Sequence, residues 1–403
     1  MEKKPEYIPL EAGVHDEIVK QIKLCFGQHP SMRIPFDELY AGVMNEVALG
    51  NVSRSVNEEL ELFNYTIQCT FEKNWNVFTL ISRGLILCPT KKQVVCQTMV
   101  KFCNYGEILY LPDEPFRATL KYDGSCLFVW FYDNSWHCST RGSFSSDQAI
   151  WAEKWMNKNM NMLNLVPGRT YIFECIYREN RIVISYDFEG LVLITGFSED
   201  GYEFLYEDVV EYGKQLCVRV VESPGYATID EMLKKADALP SSEEGWVVRF
   251  NNGYRIKIKS SAYCAVHRVI SNCTPLSIWD MLRQCLPLEP VMMELPEEFR
   301  TDIKIMRKLL QDQENDLIHE IIHAFNATNS LSDKELGLRM VEFRKLYGSA
   351  ANFIFACRKN EFLDNYYKPG KLRDSLYFCF RPTNNVLRGF VPSSSMSRFV
   401  EVV

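Results

Sequence analysis

Several features that would place the chain in a common class of protein are missing from its 403 residues. No apolar run approaches the roughly 20 residues that a membrane-spanning helix requires. The opening segment, MEKKPEYIPLEAGVHDEIVK, is charged and lacks the apolar stretch of a secretory signal. We therefore expect an intracellular protein, cytoplasmic or nuclear, that does not contact a membrane.

The 14 cysteines include no C-x-x-C pair, so neither a zinc ribbon nor a disulfide framework is indicated. The glycine-rich patterns G-x-x-x-x-G-K-[ST] and G-x-G-x-x-G are also absent. Any nucleotide would therefore have to be held by side chains on a sheet. The net charge of −7 argues against nucleic-acid binding by the whole surface, but it leaves room for a local basic site.

The pattern of apolar residues divides the chain into three regions. Residues 1–65 are predicted to be mostly helical, with Ile18, Ile22 and Phe26 on one face. Residues 66–272 are strand-rich, with strands expected at 126–132, 170–177, 181–186, 191–197 and 216–221, and helices at about 146–160 and 228–237. The spacing in 273–403 indicates helices at about 276–286, 296–325, 332–347 and 350–364, followed by an irregular, strand-containing tail from 368.

This order of elements predicts the α+β class. We expect a domain of antiparallel sheets with flanking helices, followed by an all-helical C-terminal domain.

The segment Lys121-Tyr122-Asp123-Gly124 places an amine at the end of a strand. The Asp-Gly turn that follows would let a ligand approach closely. A four-residue pattern is weak evidence by itself, and an exposed β-hairpin is the more common explanation for it.

A second segment is basic on alternate positions. In a strand, Arg255, Lys257 and Lys259 face one side while Ile256 and Ile258 face the other. A polyphosphate would neutralise these cations; the alternative is a solvated edge strand protected by lysine. Because the isoleucines indicate a packed strand, we favour the anion site.

Two carboxylates interrupt otherwise apolar strands, Glu174 in YIFECIY and Glu244 before GWVV. A buried carboxylate is costly unless it meets a cation, a metal or a ligand hydroxyl. Each of the two is therefore either a ligand-binding group or one half of a plain salt bridge.

In this order the motifs resemble those of covalent nucleotidyltransferases, and most closely the phage-type RNA ligase 1 family of ATP-dependent RNA ligases. The similarity covers roughly residues 80–270. It rests on Arg83-Gly, Lys101-Phe, Lys121-Tyr-Asp-Gly-Ser, Arg141-Gly-Ser-Phe-Ser-Ser-Asp-Gln-Ala149, Phe173-Glu174 with 180–186, Glu244-Gly-Trp-Val and Lys257-Ile-Lys-Ser. One departure is Arg141, where a lysine is more usual.

The resemblance implies a role for each residue. Lys121 would attack the α-phosphorus of ATP and carry AMP, while Lys257 and Lys259 hold the α-phosphate. Phosphate groups would also be bound by Arg83, Lys101 and Arg141. Glu174 would bind a ribose hydroxyl, and Glu244 would position Mg²⁺ or Mn²⁺, mostly through water. Neighbouring cations and the metal would lower the pKa of Lys121. Asp123 is a candidate for the later steps, and Trp246 either packs near the nucleotide or belongs to the core.

The implied substrate is RNA with 5′-phosphate and 3′-hydroxyl ends, joined by a monomer through an RNA-adenylate, in RNA repair with broken tRNA as a target. DNA ligases and capping enzymes share the lysine chemistry but would continue into an OB-fold barrel rather than helices. Another alternative is a non-enzymatic RNA-binding protein with a degenerate ligase domain.

A different class of alternative is a zinc metalloprotease, because His319-Glu320-Ile-Ile-His323 matches H-E-x-x-H. Its nearest downstream candidates for a third ligand are Glu335 and Glu342. We favour a chance match in a charged helix.

Overall fold

The computed structural model describes residues 27–107, 111–293, 295 and 297–391, and the chain divides after Cys264 into two compact units. The predicted helical face of Ile18, Ile22 and Phe26 lies outside the described residues. The division falls inside a helix, Ser261–Asn272, that follows the last strand. The domain boundaries given above stay predictions.

The strands of the first unit form three sheets. In chain order they are β1 (Val52–Asn57), β2 (Leu60–Tyr65), β3 (Arg83–Cys88), β4 (Gln93–Cys96), β5 (Cys103–Asn104), β6 (Phe116–Leu120), β7 (Ser125–Tyr132), β8 (Ser135–Thr140), β9 (Thr170–Ile176), β10 (Gly190–Phe197), β11 (Arg219–Val220), β12 (Gly245–Phe250) and β13 (Arg255–Lys259).

The first sheet has the order β1-β2-β3-β4, the second β11-β10-β9-β7-β8 and the third β5-β13-β12-β6. All neighbours are antiparallel except β10 with β11 and β13 with β5.

The helices of the first unit pack on the outer faces of these sheets. They are α1 (Phe36–Ala48), α2 (Ile67–Glu72), α3 (Val77–Ile81), α4 (Asp147–Asn159), α5 (Tyr206–Leu216) and α6 (Ile229–Ala238), and α7 (Ser261–Asn272) continues into the second unit. Short 3₁₀ turns lie at Pro30–Met32, Met162–Asn164 and Arg178–Asn180. The α+β prediction is confirmed for this unit.

The inner face of the third sheet carries charged residues, and the inner face of the second sheet places Glu174 among apolar residues such as Phe128 and Ile172, which pack against the first sheet. The outer faces of both sheets carry core residues. On the second sheet, Tyr171, Phe173 and Leu193 pack with Met156 of α4 and Val209 of α5. On the third sheet, apolar residues of β12 and β13 pack with Met232 and Ala236 of α6. Helices on the outside of two sheets therefore leave a polar space between their inner faces.

Residues 52–65 correct the helical prediction for 1–65. They form a β-hairpin, β1 and β2, whose turn passes through Glu58 at φ +53°. Leu60 and Leu62 are both buried and stand two residues apart, which is the period of a strand. Of the described residues in this region, 36–48 are helical as expected.

The predicted strand at 181–186 is absent. The backbone N–H groups of Val183 and Ile184 donate to Oδ2 of Asp123, at 2.8 and 2.7 Å, instead of to a neighbouring strand. The predicted strand at 216–221 shrinks to Arg219–Val220 because residues 206–216 form a helix. Its buried residues Val209, Gly213 and Leu216 follow helical spacing, a signal that was present in the sequence.

Within the described residues the second unit contains helices and no strand. They are α8 (Pro275–Arg283), α9 (Glu289–Met293), α10 (Glu297–Thr328), α11 (Asp333–Leu338), α12 (Met340–Tyr347), α13 (Ile354–Arg358), α14 (Glu361–Asn365) and α15 (Lys371–Phe378), with a 3₁₀ turn at Gly348–Phe353. The all-helical prediction is confirmed. The tail contains the helix α15 where strand was expected, and 392–403 lie outside the described residues.

A buried arginine ties three parts of the second unit together. The Arg373 guanidinium donates to the carbonyl oxygens of Leu282 and Tyr366, to Glu314 and to the Tyr377 hydroxyl. The Tyr377 hydroxyl in turn donates to Glu314 at 2.6 Å. Every nitrogen of this guanidinium has a partner, as a buried charge requires.

Among the described residues, no helix combines the length and the apolarity needed to cross a membrane.

Candidate active site

One face of the third sheet carries three cross-strand rows of side chains, and most of these side chains are basic. Row by row they are Lys121, Gly245 and Lys259; Thr119, Val247 and Lys257; and Arg117, Arg249 and Arg255. Residues two apart on a strand are about 6.8 Å apart, so the face extends about 14 Å from the lysine end to the arginine end. The predicted alternation of β13 is confirmed, with Ile256 and Ile258 buried on the opposite side.

This basic face lines a cavity of about 400 Å³. The opposite wall carries Glu174 and Ile194 of the second sheet, and Arg83 and Phe102 complete the lining at the lysine end. The volume lies within the range of roughly 300–1,000 Å³ that is usual for small-molecule sites.

Lys121 is held by a buried carboxylate. Its Nζ donates to Oε2 of Glu244 at 2.7 Å, and Nζ of Lys259 lies 2.9 Å from Oε1. Burial by itself would lower the pKa of Lys121, but Glu244, Glu174 and Asp123 outweigh it and hold the pKa above its ordinary value. Among the residues of this chain, carboxylates are thus a stronger influence on Lys121 than the neighbouring cations, in contrast to the expectation. The expected contribution of a bound metal stays a prediction.

Glu174 lies beside the turn that carries Lys121. Its Oε1 accepts a hydrogen bond from the backbone N–H of Gly124 at 3.1 Å. Burial raises the pKa of Glu174 to about 7, and attraction to Lys121 offsets only part of that rise. A Cβ on Gly124 would stand 2.6 Å from the carbonyl oxygen of Cys175, so only glycine fits here.

Asp123 stabilises the same turn through hydrogen bonds. Besides the two N–H groups of Val183 and Ile184, its carboxylate accepts a hydrogen bond from the Tyr263 hydroxyl at 2.7 Å. Asp123 is 3% exposed, and burial raises its pKa. A carboxylate with this many internal donors is better suited to positioning Lys121 than to taking a proton in a later step.

Two cations of the cavity lack the compensation that Lys121 has. Burial, followed by repulsion from Arg83 and Lys121, lowers the pKa of Lys257 to about 7. The Arg83 guanidinium lies over the Phe102 ring, 5.6 Å from its centroid, and its buried Nη1 has no hydrogen-bond partner. An anion in this cavity would satisfy both groups.

Besides Glu244, which pairs with the cavity-lining Lys121 and Lys259, three predicted ligand-binding residues do not line this cavity. The Lys101 amine lies over the Trp75 ring at 4.7 Å and 3.6 Å from Sγ of Cys103, in a small neighbouring cavity. Arg141 is exposed and stacks on Tyr65, 5.3 Å from the ring centroid.

Trp246 is the third, and it faces away from the cavity. It is 2% exposed and packs on the other side of the sheet, with its ring 5.2 Å from that of Tyr226. The placement near a nucleotide is therefore wrong, because Trp246 alternates with the cavity-facing Val247. The core reading of Trp246 is the correct one.

The sequence did not predict the arginine end of the cavity or one contact of the turn that carries Lys121. Glu203 is 3% exposed at its side chain and forms ion pairs with Arg255 and, at 2.9 Å, with Arg249. Glu203 is 46 residues before Arg249 in the chain, so their pairing leaves no local pattern in the sequence. Tyr263 lies close in sequence to the basic strand, and a buried tyrosine hydroxyl there could have been expected to need a partner.

The site suits a triphosphate and a hydrated divalent ion. Arg83, Lys257 and Lys259 supply donors for phosphate oxygens at the lysine end. Glu244 and Glu174 supply the hard carboxylate oxygens that Mg²⁺ and Mn²⁺ prefer. No group of three metal-binding side chains is preassembled in the described residues, which fits an ion that takes its remaining ligands from water and phosphate.

The H-E-x-x-H match lies on α10 with both histidines exposed. His323 packs edge-on against Tyr347 at 5.8 Å. Its candidate third ligands are engaged elsewhere in the second unit: Glu335 caps α11 through Ser332, and Glu342 pairs with Arg339. The described residues thus offer no third zinc ligand.

The fold and the cavity define an α+β domain with an ion-paired lysine at one end of a basic, cavity-lining face. The sequence model of the RNA ligase family matches residues 81–263, which contain every residue that lines this cavity. The chain is therefore similar to the RNA ligase family over this region, which is a little under half of its length.

Two curated proteins are similar to it. One is described as a bifunctional polynucleotide kinase/RNA ligase of Autographa californica nuclear polyhedrosis virus, 26% identical over 54% of this chain and 35% of that protein. The other is the RNA ligase of Rhodothermus phage RM378, 22% identical over 64% of this chain and 75% of that protein. The chain thus spans about a third of the length of the first relative.

Among solved structures, similarity is found to an archaeal ATP-dependent RNA ligase, with a TM-score of 0.43 and 13% identity over 82% of this chain and 83% of the other. A Naegleria gruberi RNA ligase with ATP and Mn gives a TM-score of 0.32 and 18% identity over 38% and 52%. Both structural similarities are distant.

Proposed function

We propose that the chain is an ATP-dependent RNA ligase that uses Lys121 as its nucleophile. The observation that carries this proposal is the lysine amine on a buried carboxylate, at the end of a cavity in which Arg83 has a buried nitrogen without a hydrogen-bond partner and burial lowers the pKa of Lys257. The family supports the same conclusion, since its members are named for RNA ligation.

In the first step the Lys121 amine attacks the α-phosphorus of ATP. An N–P bond forms, the bond from that phosphorus to pyrophosphate breaks, and the ammonium proton must leave beforehand because only the neutral amine is a nucleophile. Glu244 keeps that proton in place at 2.7 Å. Glu244 is also the residue that would hold Mg²⁺ or Mn²⁺, which would supply positive charge at the phosphates. If Glu244 bound such an ion, Lys121 would lose its strongest reason to stay protonated and could release its proton to water.

Lys257, Lys259 and Arg83 stabilise the charge that moves to the leaving group. Lys257 gains most on binding, because its depressed pKa means that the free site holds it partly neutral. Lys101 and Arg141 would reach the outer phosphates only after leaving their aromatic neighbours, so we assign them secondary roles. Glu174 orients the ribose by accepting a hydroxyl hydrogen bond.

In the second step the 5′-phosphate of an RNA attacks the lysyl-AMP and takes the AMP. In the third, a 3′-hydroxyl attacks that adenylated phosphate, AMP leaves, and a phosphodiester forms. We propose repair of broken RNA, with cleaved tRNA as one target, by a monomer.

The decisive test is AMP transfer without RNA. Incubation with α-labelled ATP and Mg²⁺, followed by denaturing electrophoresis, should label the wild type and not Lys121→Ala. Lys214→Ala, which changes an exposed lysine of α5, is the matched control and should label normally. A labelled Lys121→Ala protein would overturn the assignment.

A DNA ligase or capping enzyme is the remaining alternative from the same chemistry. The helices that follow Lys259 speak against it, because those enzymes would continue into an OB-fold barrel. Comparing single-stranded RNA, nicked duplex and DNA, each with a 5′-phosphate, decides the matter. We expect joining of RNA; preference for nicked DNA, or transfer of GMP from GTP to Lys121, would refute an RNA ligase.

A further inference from the structure

A cluster of aromatic rings with one arginine lies beside Lys121 and has no part in the chemistry described so far. It consists of Tyr122, Tyr186, Phe188 and Arg219, and it is called the stacking platform below. The Tyr122 ring lies 5.5 Å from that of Tyr186 and 6.4 Å from that of Phe188. The Arg219 guanidinium covers Phe188 at 4.2 Å from the ring centroid.

The stacking platform is built from three separate segments. Tyr122 belongs to the turn that carries Lys121, Tyr186 and Phe188 to the loop before β10, and Arg219 to β11. One hydrogen bond joins two of the segments, from the Asp123 N–H to the Tyr186 hydroxyl at 2.8 Å. Its three rings are only half-buried and Arg219 is exposed. Within the described part of the chain, Arg219 forms no ion pair.

The platform is continuous with the cavity. Tyr122 lines the cavity together with Lys121, and Val221 packs both against the platform and along the cavity wall. A group resting on the platform would therefore stand next to AMP carried by Lys121.

The charges around the platform favour a base over a phosphate. Arg219 is accompanied by the exposed residues Asp187, Glu189 and Glu222, so the local charge is not positive and would not attract a phosphate backbone. Aromatic faces and an arginine plane instead bind the flat face of an unpaired nucleobase. At a nick in a duplex both faces of that base would be covered by its neighbours.

We propose that the stacking platform binds an unpaired base at an RNA end during AMP transfer and joining. This deepens the proposed function and rests on it. The platform makes the protein selective for ends whose terminal nucleotide is single-stranded.

The test separates steps that need RNA from the one that does not. Arg219→Ala removes the exposed plane, Arg219→Lys keeps the charge but not the plane, and Phe188→Leu removes the ring beneath. For each variant we expect AMP labelling of Lys121 within about twofold of wild type. The KM for 5′-phosphorylated single-stranded RNA should rise about fivefold or more for Arg219→Ala and Phe188→Leu, the lower end of one lost base stack. Arg219→Lys should recover only part of that loss.

A second arm uses the substrate. An abasic residue at the 5′ or the 3′ end should raise the wild-type KM by a similar factor at whichever end contacts the platform, and Arg219→Ala should no longer distinguish abasic from intact RNA. Lys235→Ala is the matched control: Lys235 also stacks on an aromatic ring, Tyr226 at 5.0 Å, on the side of the third sheet away from the cavity.

Several results would overturn the proposal: an unchanged KM in Arg219→Ala and Phe188→Leu, full recovery by Arg219→Lys, or indifference to abasic ends. A platform that docks another protein would give the first of these. Thermal unfolding checks Phe188→Leu for folding, and the exposed Arg219 provides the answer if that variant is unstable. Failure of wild-type labelling or RNA joining would instead count against the proposed function itself.

Discussion

Two arginines, a buried one in the helical unit and a half-buried one in the sheet unit, have opposite surroundings. Arg373 in the helical unit has every guanidinium nitrogen bonded to carbonyls, Glu314 or Tyr377. Arg83 in the sheet unit leaves Nη1 buried without a partner and faces a cavity. A satisfied buried charge holds a structure together, whereas an unsatisfied one costs stability and is retained where a ligand will complete it.

The carboxylates repeat the contrast. Glu314 receives one arginine and one tyrosine in a closed network. Glu244 receives two lysine amines, from Lys121 and Lys259, that also face the cavity. We expect mutations in the first network to change folding, and mutations in the second to change chemistry.

The largest expected effect is on stability, from Arg373→Met. Removing one partner of a buried ion pair leaves Glu314 uncompensated and should lower the free energy of unfolding of the helical unit by about 3–5 kcal/mol. Denaturant unfolding followed by circular dichroism measures it. Arg381→Met is the control, since Arg381 stacks on Trp279 while exposed and should cost less than about 1 kcal/mol. Equal losses would remove the contrast between the two arginines.

Arg83→Met should do the reverse. We expect the free energy of unfolding to be unchanged or slightly higher, because the substitution removes a buried donor that has no partner. ATP binding should weaken by about 10- to 100-fold, which corresponds to about 1.5–3 kcal/mol for a hydrogen bond to a charged group. Titration calorimetry with ATP on the Lys121→Ala background, which prevents turnover, gives the dissociation constant. A loss of stability with unchanged ATP binding would show that Arg83 is structural.

Adjacent residues of β12 bring the same contrast within one strand. Trp246→Phe should lower the free energy of unfolding by about 1–2 kcal/mol, below the 3–5 of complete truncation, and leave AMP labelling within about twofold. Val247→Ala, on the cavity side, should raise the KM for ATP more than it lowers stability. Thermal unfolding and initial labelling rates test both. Loss of ATP binding in Trp246→Phe alone would return the tryptophan to the site.

The smallest expected effect is the uptake of part of a proton when ATP binds. The Lys257 pKa is lowered to about 7, so at pH 8 its amine is mostly neutral in the free protein. Bound triphosphate favours the charged form and raises that pKa, so ATP binding at pH 8 should take up a fraction of a proton, falling towards zero below about pH 6. Calorimetry in buffers of different ionisation enthalpy measures the uptake, again on Lys121→Ala. It should vanish in Lys257→Met; persistence there would assign the proton to Glu174.

Local patterns foretold some parts of this site and not others. The alternation of Arg255 through Lys259 is visible in five residues, and the structure reproduces it. Lys121 and Glu244 are 123 residues apart in the chain, and their placement in one site was inferred from the order of motifs in a known family. No periodicity within the sequence contains that information.

The errors have the same physical origin. Residues 181–186 have the composition of a strand, but Asp123, about 60 residues earlier, takes the backbone donors that a strand would need. Trp246 follows Glu244 by only two residues in the motif, yet Gly245 between them has φ +127° and interrupts the alternation, so Trp246 packs in the core while Glu244 meets Lys121. Proximity in sequence was mistaken there for proximity in space.

A neutral lysine amine reacts with acylating and carbonyl-bearing compounds as well as with ATP. An amine held as ammonium by Glu244 has no free electron pair for such compounds, so the resting residue resists accidental acetylation or glycation. The ion pair therefore limits chemical modification of a residue for which the site has no substitute. In the Glu244→Gln variant, Lys121 should therefore be acetylated or glycated faster, even where no substrate is present.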